Sequence, residues 1–384
     1  MIVQQFLRWV QTAPAGERAE ATSALARAYL YSPLEPADRL SAEAAMTVLL
    51  DDPSPLVREA LAHVLGASPH APPAVIHALA NDQGDIAALV LTTSPVLTEI
   101  ELIDAVGSGD WRAQCAVACR ITVTATLAGA IAEVGGADAC LALVQNPGAD
   151  LLPAALIRIA ERHGEDVELR NELLARPDLP AEARQAAVVA LSGSLSAFVS
   201  GCGWLPEERA RRVTSEAREK ATVAIAGLGD ENEIRGLVRH LRRSGQLTAA
   251  LVLRALLSGN LRLFEEALAE LSGMSLTRVS GFVHARHSAG FEALYDKAGL
   301  PARARPAFRA ALDALAEQNF GGGRASDARL SRRMTERVLT AVGALGDEDM
   351  GQIMLMLRRF AAEAARDEAR LIADDMIRDL MIAA

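Results

Sequence analysis

The sequence predicts an all-α chain, an α-solenoid of helix-turn-helix repeats with a further helical region toward its C-terminal end. Three observations carry that expectation. Alanine and leucine dominate while aromatic residues make up 4% of the 384 positions, a composition suited to helices packed closely through small side chains rather than to sheets rich in β-branched and aromatic residues. Apolar residues recur at helical spacing in segment after segment, and those segments alternate with short turns of Asn, Asp, Gly or Pro. At 51% hydrophobic, the chain can bury a large core.

The clearest tile is "LLDDPSPLVREALAHVLG", Leu49 to Gly66. Ser54 is expected to accept a hydrogen bond from a free N–H of the first turn, and Pro55 suits the first helical position, where its missing donor costs nothing. Val57, Leu61, Val64 and Leu65 then form one apolar stripe, and Gly66 is expected to end the helix in the left-handed conformation. Upstream, "AEAAMTVLLDD" supplies a second short helix. Similar units follow in "VIHALANDQGDIAALVL", "LIDAVGSGDWRAQCAVA", "CLALVQNPGADLLPAALIRIA" and "LRNELLARPDLPAEARQAAVVAL". With Val57, Ile86, Arg112, Leu152 and Arg184 as loose anchors, the period averages about 32 residues, within the range of helical repeat proteins.

The acidic turn, Val-Arg pair, small residue and Leu-Gly ending at Asp51, Asp52, Val57, Arg58, Ala60, Leu65 and Gly66 resemble a HEAT repeat. In such a tile Asp51, Asp52, Val57 and Arg58 are expected to stabilise the repeat, the arginine bridging acidic turns of adjacent units. The order of segments, notably "DDPSPLVREALA", "PPAVIHALANDQGDIAALVLTTSPVLTEIELIDAV", "LVQNPGADLLPAAL" and "LLARPDLP", together with "ALLSGNLRLFEEALAELSGMSLTRV" and "GFEALYDKAGLPARARPAFRAALDAL", is similar to a bacterial family known as domain of unknown function 2336. That resemblance spans about residues 40–318. It implies an alphaproteobacterial protein with HEAT-like helical repeats and supplies no catalytic residues.

Four regions are expected: an acidic repeat lobe over 1–200, a second helical lobe over 207–318 after the break "SGCGWLP", a Gly-rich linker at 319–327, and a C-terminal helical pair over 328–384. In that pair Ile353, Leu357, Phe360 and Ala364 share a stripe that Leu371, Met376 and Leu380 continue. An apolar pair of this kind must bury itself, capping its own stack or forming a homodimer with a second copy.

Charge divides the chain unevenly. Residues 1–200 carry 12 basic and 24 acidic side chains, against 27 and 25 in the remainder. A negative field over the first half repels phosphate backbones, so nucleic acid is not the expected partner, and any such role falls to the second lobe. Four cysteines with no disulfide-framework spacing, and a beginning without a long apolar h-region, suggest a reducing cytoplasmic compartment. No window reaches the length of a membrane span.

The chemistry-bearing residues are few. The chain has two lysines, Lys220 and Lys297, neither in a P-loop context, and it has no G-x-S-x-G elbow, H-E-x-x-H pair or dinucleotide fingerprint. Cys115 and Cys119, with Cys140 as a third donor, could face a metal, but cysteine in an alanine-rich helix reads first as apolar filler. His284 and His287 are three apart, near Tyr295 and Asp296, and suit either an acid-base pair or a solvated face. Trp111, Trp204 and Tyr295 are the rings available for stacking on a ligand. The arginines best able to recognise a partner's carboxylates or phosphates are Arg235, Arg239, Arg242 and Arg243; a second cluster, Arg209, Arg211, Arg212 and Arg218, is interleaved with glutamates. These features lead to the expectation of a protein-protein interaction scaffold or regulatory adaptor, with no cofactor or metal. The alternatives are nucleic-acid binding by the basic second lobe and a HEAT-like enzyme such as a lyase.

Overall fold

The computed structural model describes residues 6, 8–285, 289–316, 324–343 and 351–383, and it is all-helical apart from one isolated bridge between Val123 and Ala149. The chain forms two compact units, residues 1–179 and 180–384. No described helix is long and apolar enough to cross a membrane.

The first unit contains α1 (Ala15–Tyr31), α2 (Pro36–Leu49), α3 (Pro55–Leu65), α4 (Pro73–Ala80), α5 (Gly84–Thr93), α6 (Glu99–Gly107), α7 (Trp111–Ala118), α8 (Ala125–Val134), α9 (Ala137–Gln145), α10 (Pro153–His163) and α11 (Val167–Ala175). Alternate helices pack on one another in two rows: α1, α3, α5, α7, α9 and α11 form one, and α6, α8 and α10 form another. Helices of about ten residues are marginal alone, so the rows exist because each buries an apolar stripe on its neighbours.

The opening tile folds as α2, a turn and α3, with three local departures from expectation. Pro55 is the first helical residue, but the Ser54 side chain makes no cap; its backbone N–H donates instead to Asp52 Oδ1 at 2.8 Å. The short acidic side chain turns the backbone, and the serine follows. Gly66 lies in the right-handed region, at φ −52° and ψ −45°. Its glycine identity follows from crowding: a Cβ there would lie 2.6 Å from the Ala62 carbonyl oxygen and 3.0 Å from Thr93 Oγ1 at the end of α5. Val57, Leu61, Ala62 and Leu65 are buried, whereas Val64 is half-buried.

The helices of the first row keep a closer register than the anchors Val57, Ile86, Arg112, Leu152 and Arg184 imply. The third residues of α3, α5, α7, α9 and α11 are Val57, Ile86, Ala113, Ala139 and Leu169, all buried and 26 to 30 positions apart. Arg112 lies one residue out of this register, and Leu152 caps α10 in the other row. The next position along carries a clasp. Arg58, fourth in α3, donates from Nη1 to the Asp52 carbonyl in the turn before its own helix at 2.6 Å. Its Nε and Nη2 donate to the Asp82 carboxylate, in the turn before α5, at 2.6 and 3.0 Å. Arg18, fourth in α1, repeats the arrangement with the Ala13 carbonyl and the Asp52 carboxylate. Gln114, fourth in α7, bonds the Val106 carbonyl and the Gly136 N–H, each at 3.0 Å. Arg170, fourth in α11, reaches the Gly164 carbonyl at 2.9 Å. These bonds satisfy buried turn groups that would otherwise be orphaned. Asp51 is exposed and stands outside the clasp.

The second unit contains α12 (Ala181–Gly201), α13 (Glu207–Leu228), α14 (Glu231–Arg243), α15 (Ala249–Leu257), α16 (Leu261–Ser272), α17 (Leu276–His284), α18 (Ala289–Lys297), a 3-10 turn (Ala302–Ala304), α19 (Arg305–Ala316), α20 (Arg324–Gly343) and α21 (Gly351–Ala383). The "SGCGWLP" break, expected as a lobe boundary, is the turn of a long hairpin in which α12 packs along α13. Gly203 supplies its positive φ of 69°. The glycine run expected as a linker falls outside the described residues, while 324–327 already belong to α20. Met334, Val338 and Val342 of α20 and Ile353, Leu357 and Phe360 of α21 join the core built around Phe264, Tyr295 and Phe308. The C-terminal pair thus buries its stripe within its own unit; further along, Met376 is exposed, and the side chain of Leu380 lies outside the described residues.

Two outcomes test the clasp. Arg58→Ala is expected to destabilise by about 1–3 kcal/mol, the range for hydrogen bonds to charged groups. Arg58→Lys recovers little, because an ammonium cannot span both turns; urea unfolding measures both. Burial is the largest influence on Asp52 and pushes its carboxyl up. The hydrogen bond from Arg18, the Ser54 N–H and the charges of Arg18 and Arg58 together outweigh it and hold the group below the usual carboxylate range. A depressed folded value stabilises above the unfolded value and is lost as pH falls through the folded one. Stability should therefore drop between about pH 5 and pH 2, and Asp52→Asn, which keeps the Ser54 contact, should flatten that drop.

Candidate binding surfaces

Position four of α5 is Ala87, so the clasp is missing there. At that place the first unit has a groove of about 370 Å³ between α4, α5, α6 and α7, with Ala87, Leu91 and Leu97 as its floor and Asp82, Glu101, Asp104 and Asp110 along its walls. An arginine at 87 would extend into this space. The walls are locally fixed. Thr98 and Glu101 form a capping box at the start of α6, and the Thr98 backbone N–H followed by its hydroxyl holds the Glu101 carboxyl below its ordinary range. Asp110 caps α7 by accepting from the Arg112 N–H, and His77 Nε2 lies 3.1 Å from Glu101 Oε1. Asp104 is exposed. Residues 1–179 hold 11 basic and 23 acidic side chains, so the groove lies in a strongly negative field.

The arginine cluster on α14 is divided by its own neighbours. Arg235 pairs with Glu266 at 3.2 Å, and Arg242 bonds both the carbonyl and the carboxylate of Glu270, all on α16. Arg239 and Arg243 are exposed and form no ion pair among the described residues. One helix face therefore presents two outward guanidinium groups rather than four.

The remaining candidates disperse. His284 is exposed, with Nδ1 2.9 Å from the Ser280 carbonyl and 3.6 Å from Glu265; His287 lies outside the described residues. Cys140 is buried with its thiol toward the Ile131 and Gly135 carbonyls, and burial pushes it up to about 11. Cys115 is half-buried and Cys119 exposed, and no cluster of three metal-ligating side chains occurs among the described residues. Tyr295 is fully buried and donates to the Pro301 carbonyl at 2.8 Å, while Trp111 and Trp204 are exposed.

Sequence reading missed a charge cluster built around one buried arginine in the second unit. Arg254 of α15 is 5% exposed, with its guanidinium 4.0 Å from the centre of the Phe360 ring and Nη1 2.8 Å from Glu363 Oε2. Its Nε lies 3.5 Å from Glu219, whose carboxyl is raised by burial against the opposing pull of Arg254 and Arg218. Lys220 Nζ bonds Asp367 at 2.6 Å, and Arg359 bonds Glu216 at 2.8 Å. Arg359, Glu363 and Asp367 are four apart, one face of α21, and together they clamp that helix onto α13 and α15 around a cavity of about 210 Å³. The signal was present as alternating charge at helical spacing, but nothing local to 359–367 names residues 216–254 as the partners.

Removing one member of a buried pair leaves the other charge uncompensated, whereas replacing both with apolar groups is often neutral. Glu363→Gln should speed amide exchange in the middle of α21 by about tenfold or more, and Arg254→Met combined with Glu363→Leu should restore protection; hydrogen-exchange mass spectrometry reads both.

No curated protein and no solved structure matches the chain. A family model does, and its boundaries are informative: it begins at Ile86, beyond the tile of Arg58, and runs through α20. It covers residues 86–345, two thirds of the chain, and by that match the protein belongs to the DUF2336 family, described as an uncharacterised protein conserved in bacteria.

Proposed function

We propose that the protein is a non-enzymatic interaction scaffold, a HEAT-like α-solenoid whose first unit takes a basic, partly apolar segment of a protein partner. The observation that carries this reading is the groove at the missing clasp, where four carboxylates stand over an apolar floor. Acidic walls favour Lys or Arg side chains and raise the rate of encounter. The floor of Ala87, Leu91 and Leu97 supplies the non-directional part of the affinity. Alternating basic and apolar residues match such a groove better than a uniformly basic run. The division of the α14 arginine cluster by Glu266 and Glu270 supports a protein partner over a duplex, because it leaves Arg239 and Arg243 as a small basic patch.

The test uses a fluorescently labelled peptide of alternating arginine and leucine, with a labelled duplex as comparator. Anisotropy should show peptide binding at about 50 mM salt that weakens toward about 300 mM, as expected for partly exposed charge pairs. Asp104→Asn with Asp110→Asn, which keeps a capping side chain at 110, should weaken it at least about tenfold. Failure of the wild-type chain to bind at low salt overturns the reading, and tighter binding of the duplex moves the function to the second unit.

A further inference from the structure

The α12–α13 hairpin carries an apolar stripe that stands exposed among the described residues of its own unit. Its base is packed: Ala181, Ala183 and Gln185 to Ala187 on α12, and Thr222, Val223 and Ala226 on α13, are buried. Between Ala187 and Thr222 the only buried residues are Ala210 and Thr214. Along this outer part, Val188, Leu191, Leu195, Phe198 and Cys202 follow one another at intervals of three, four, three and four residues, the spacing of a coiled-coil seam. Leu191, Leu195 and Phe198 are 46%, 49% and 58% exposed, and Trp204, 69% exposed, stands edge-on to Phe198 at 5.7 Å. The face of α12 toward α13 is of the opposite character: Ser192, Ser196 and Ser200 line the cleft with Thr214 and Arg218. Small polar residues are thus spent on the intrachain contact while large apolar ones face water, an arrangement that natural monomers avoid at this density.

We infer that this seam is a homodimer interface, in which the hairpins of two copies pack together as a four-helix bundle. Three features favour a second copy as the occupant. The 22 residues from Gln185 to Pro206 contain no Asp, Glu, Lys, Arg or His in a chain of net charge −10, so this is a place where identical, mutually repelling molecules meet without like-charge contact. A strict seam is self-complementary across a two-fold axis, which an isologous interface requires. Aromatic side chains offer about 150–250 Å² each. The half-exposed rings and aliphatics therefore supply roughly 500 Å² per copy, the larger part of the about 800 Å² per partner in a standard interface. The inference does not rest on the acidic groove, which belongs to the other unit.

Light scattering on the full chain, from about 1 to 100 µM, reads the result by mass action. The mass should approach twice 40.6 kDa at high concentration and fall toward 40.6 kDa on dilution. Leu195→Glu with Phe198→Glu should give the single-chain mass throughout, with unchanged helical circular dichroism. Leu195→Ser with Phe198→Ser, in keeping with the serines already on α12, separates loss of association from loss of fold. Arg239→Glu with Arg243→Glu, off the seam, should remain dimeric. A wild-type chain with the single-chain mass at the highest concentration overturns the inference, and so does a dimer that survives the paired glutamate or serine replacements.

Discussion

Short helices in rows leave a turn every dozen residues, and each turn brings backbone carbonyls and N–H groups to the edge of a hydrophobic core. The clasp at the fourth position of α1, α3, α7 and α11 meets that constraint. Arg58 joins the carbonyl of one turn to the carboxylate of the next, and Arg18 does the same one step earlier. Because the guanidinium is planar and has donors on several edges, it fixes distance and orientation together. The apolar third-position residue beside it can then be as small as Ala113, next to Gln114, without loss of register.

The same constraint explains why the first unit is uneven. Gln114 can clasp with an amide and Arg170 with a single edge, but Ala87 cannot clasp at all, and the structure opens into a groove at that point. Omitting a long side chain at that place opens space while the neighbouring helices of the row still hold the geometry. The second unit uses the opposite device. Its buried Arg254 is surrounded by Glu219, Glu363 and the Phe360 ring, which join α15 to α13 and α21 through groups that must be paired to stay buried.

Much of the helical pattern was legible because period and composition are local. Pro55 as a helix start, the stripe of Ile353, Leu357, Phe360 and Ala364, and the family resemblance could all be read from neighbouring residues. The misreadings share one cause, the application of a local rule where a distant group decides. Gly66 serves close packing against Thr93 rather than a left-handed cap, and Ser54 yields its capping place to Asp52. "SGCGWLP" has the composition of a linker and is the tip of a hairpin. The fourth position holds arginine at 18, 58 and 170 but alanine at 87, glutamine at 114 and cysteine at 140, so no single motif collects it, and the register slipped to Arg112 and Leu152 in consequence. For the candidate site, the negative charge of the first half was visible in the sequence, but the groove needed four separate helices to be placed together.

The ion pairs of α21 also bear on the order in which the second unit comes together. Hydrogen bonds between neighbouring helices of a row in the first unit typically join residues 24 to 34 apart, as from Arg58 to Asp82 and from Arg18 to Asp52. Those that hold α21 reach back 109 residues to Arg254, 143 to Glu216 and 147 to Lys220. Contacts of short span can form one helix pair at a time as the chain emerges from the ribosome, whereas long-span contacts must wait for closure of the whole intervening chain. During synthesis, α13 and α15 therefore carry an exposed apolar face and unmatched charges until residues 359–367 have been made, a window in which this unit, rather than the clasped one, is the natural client of a chaperone.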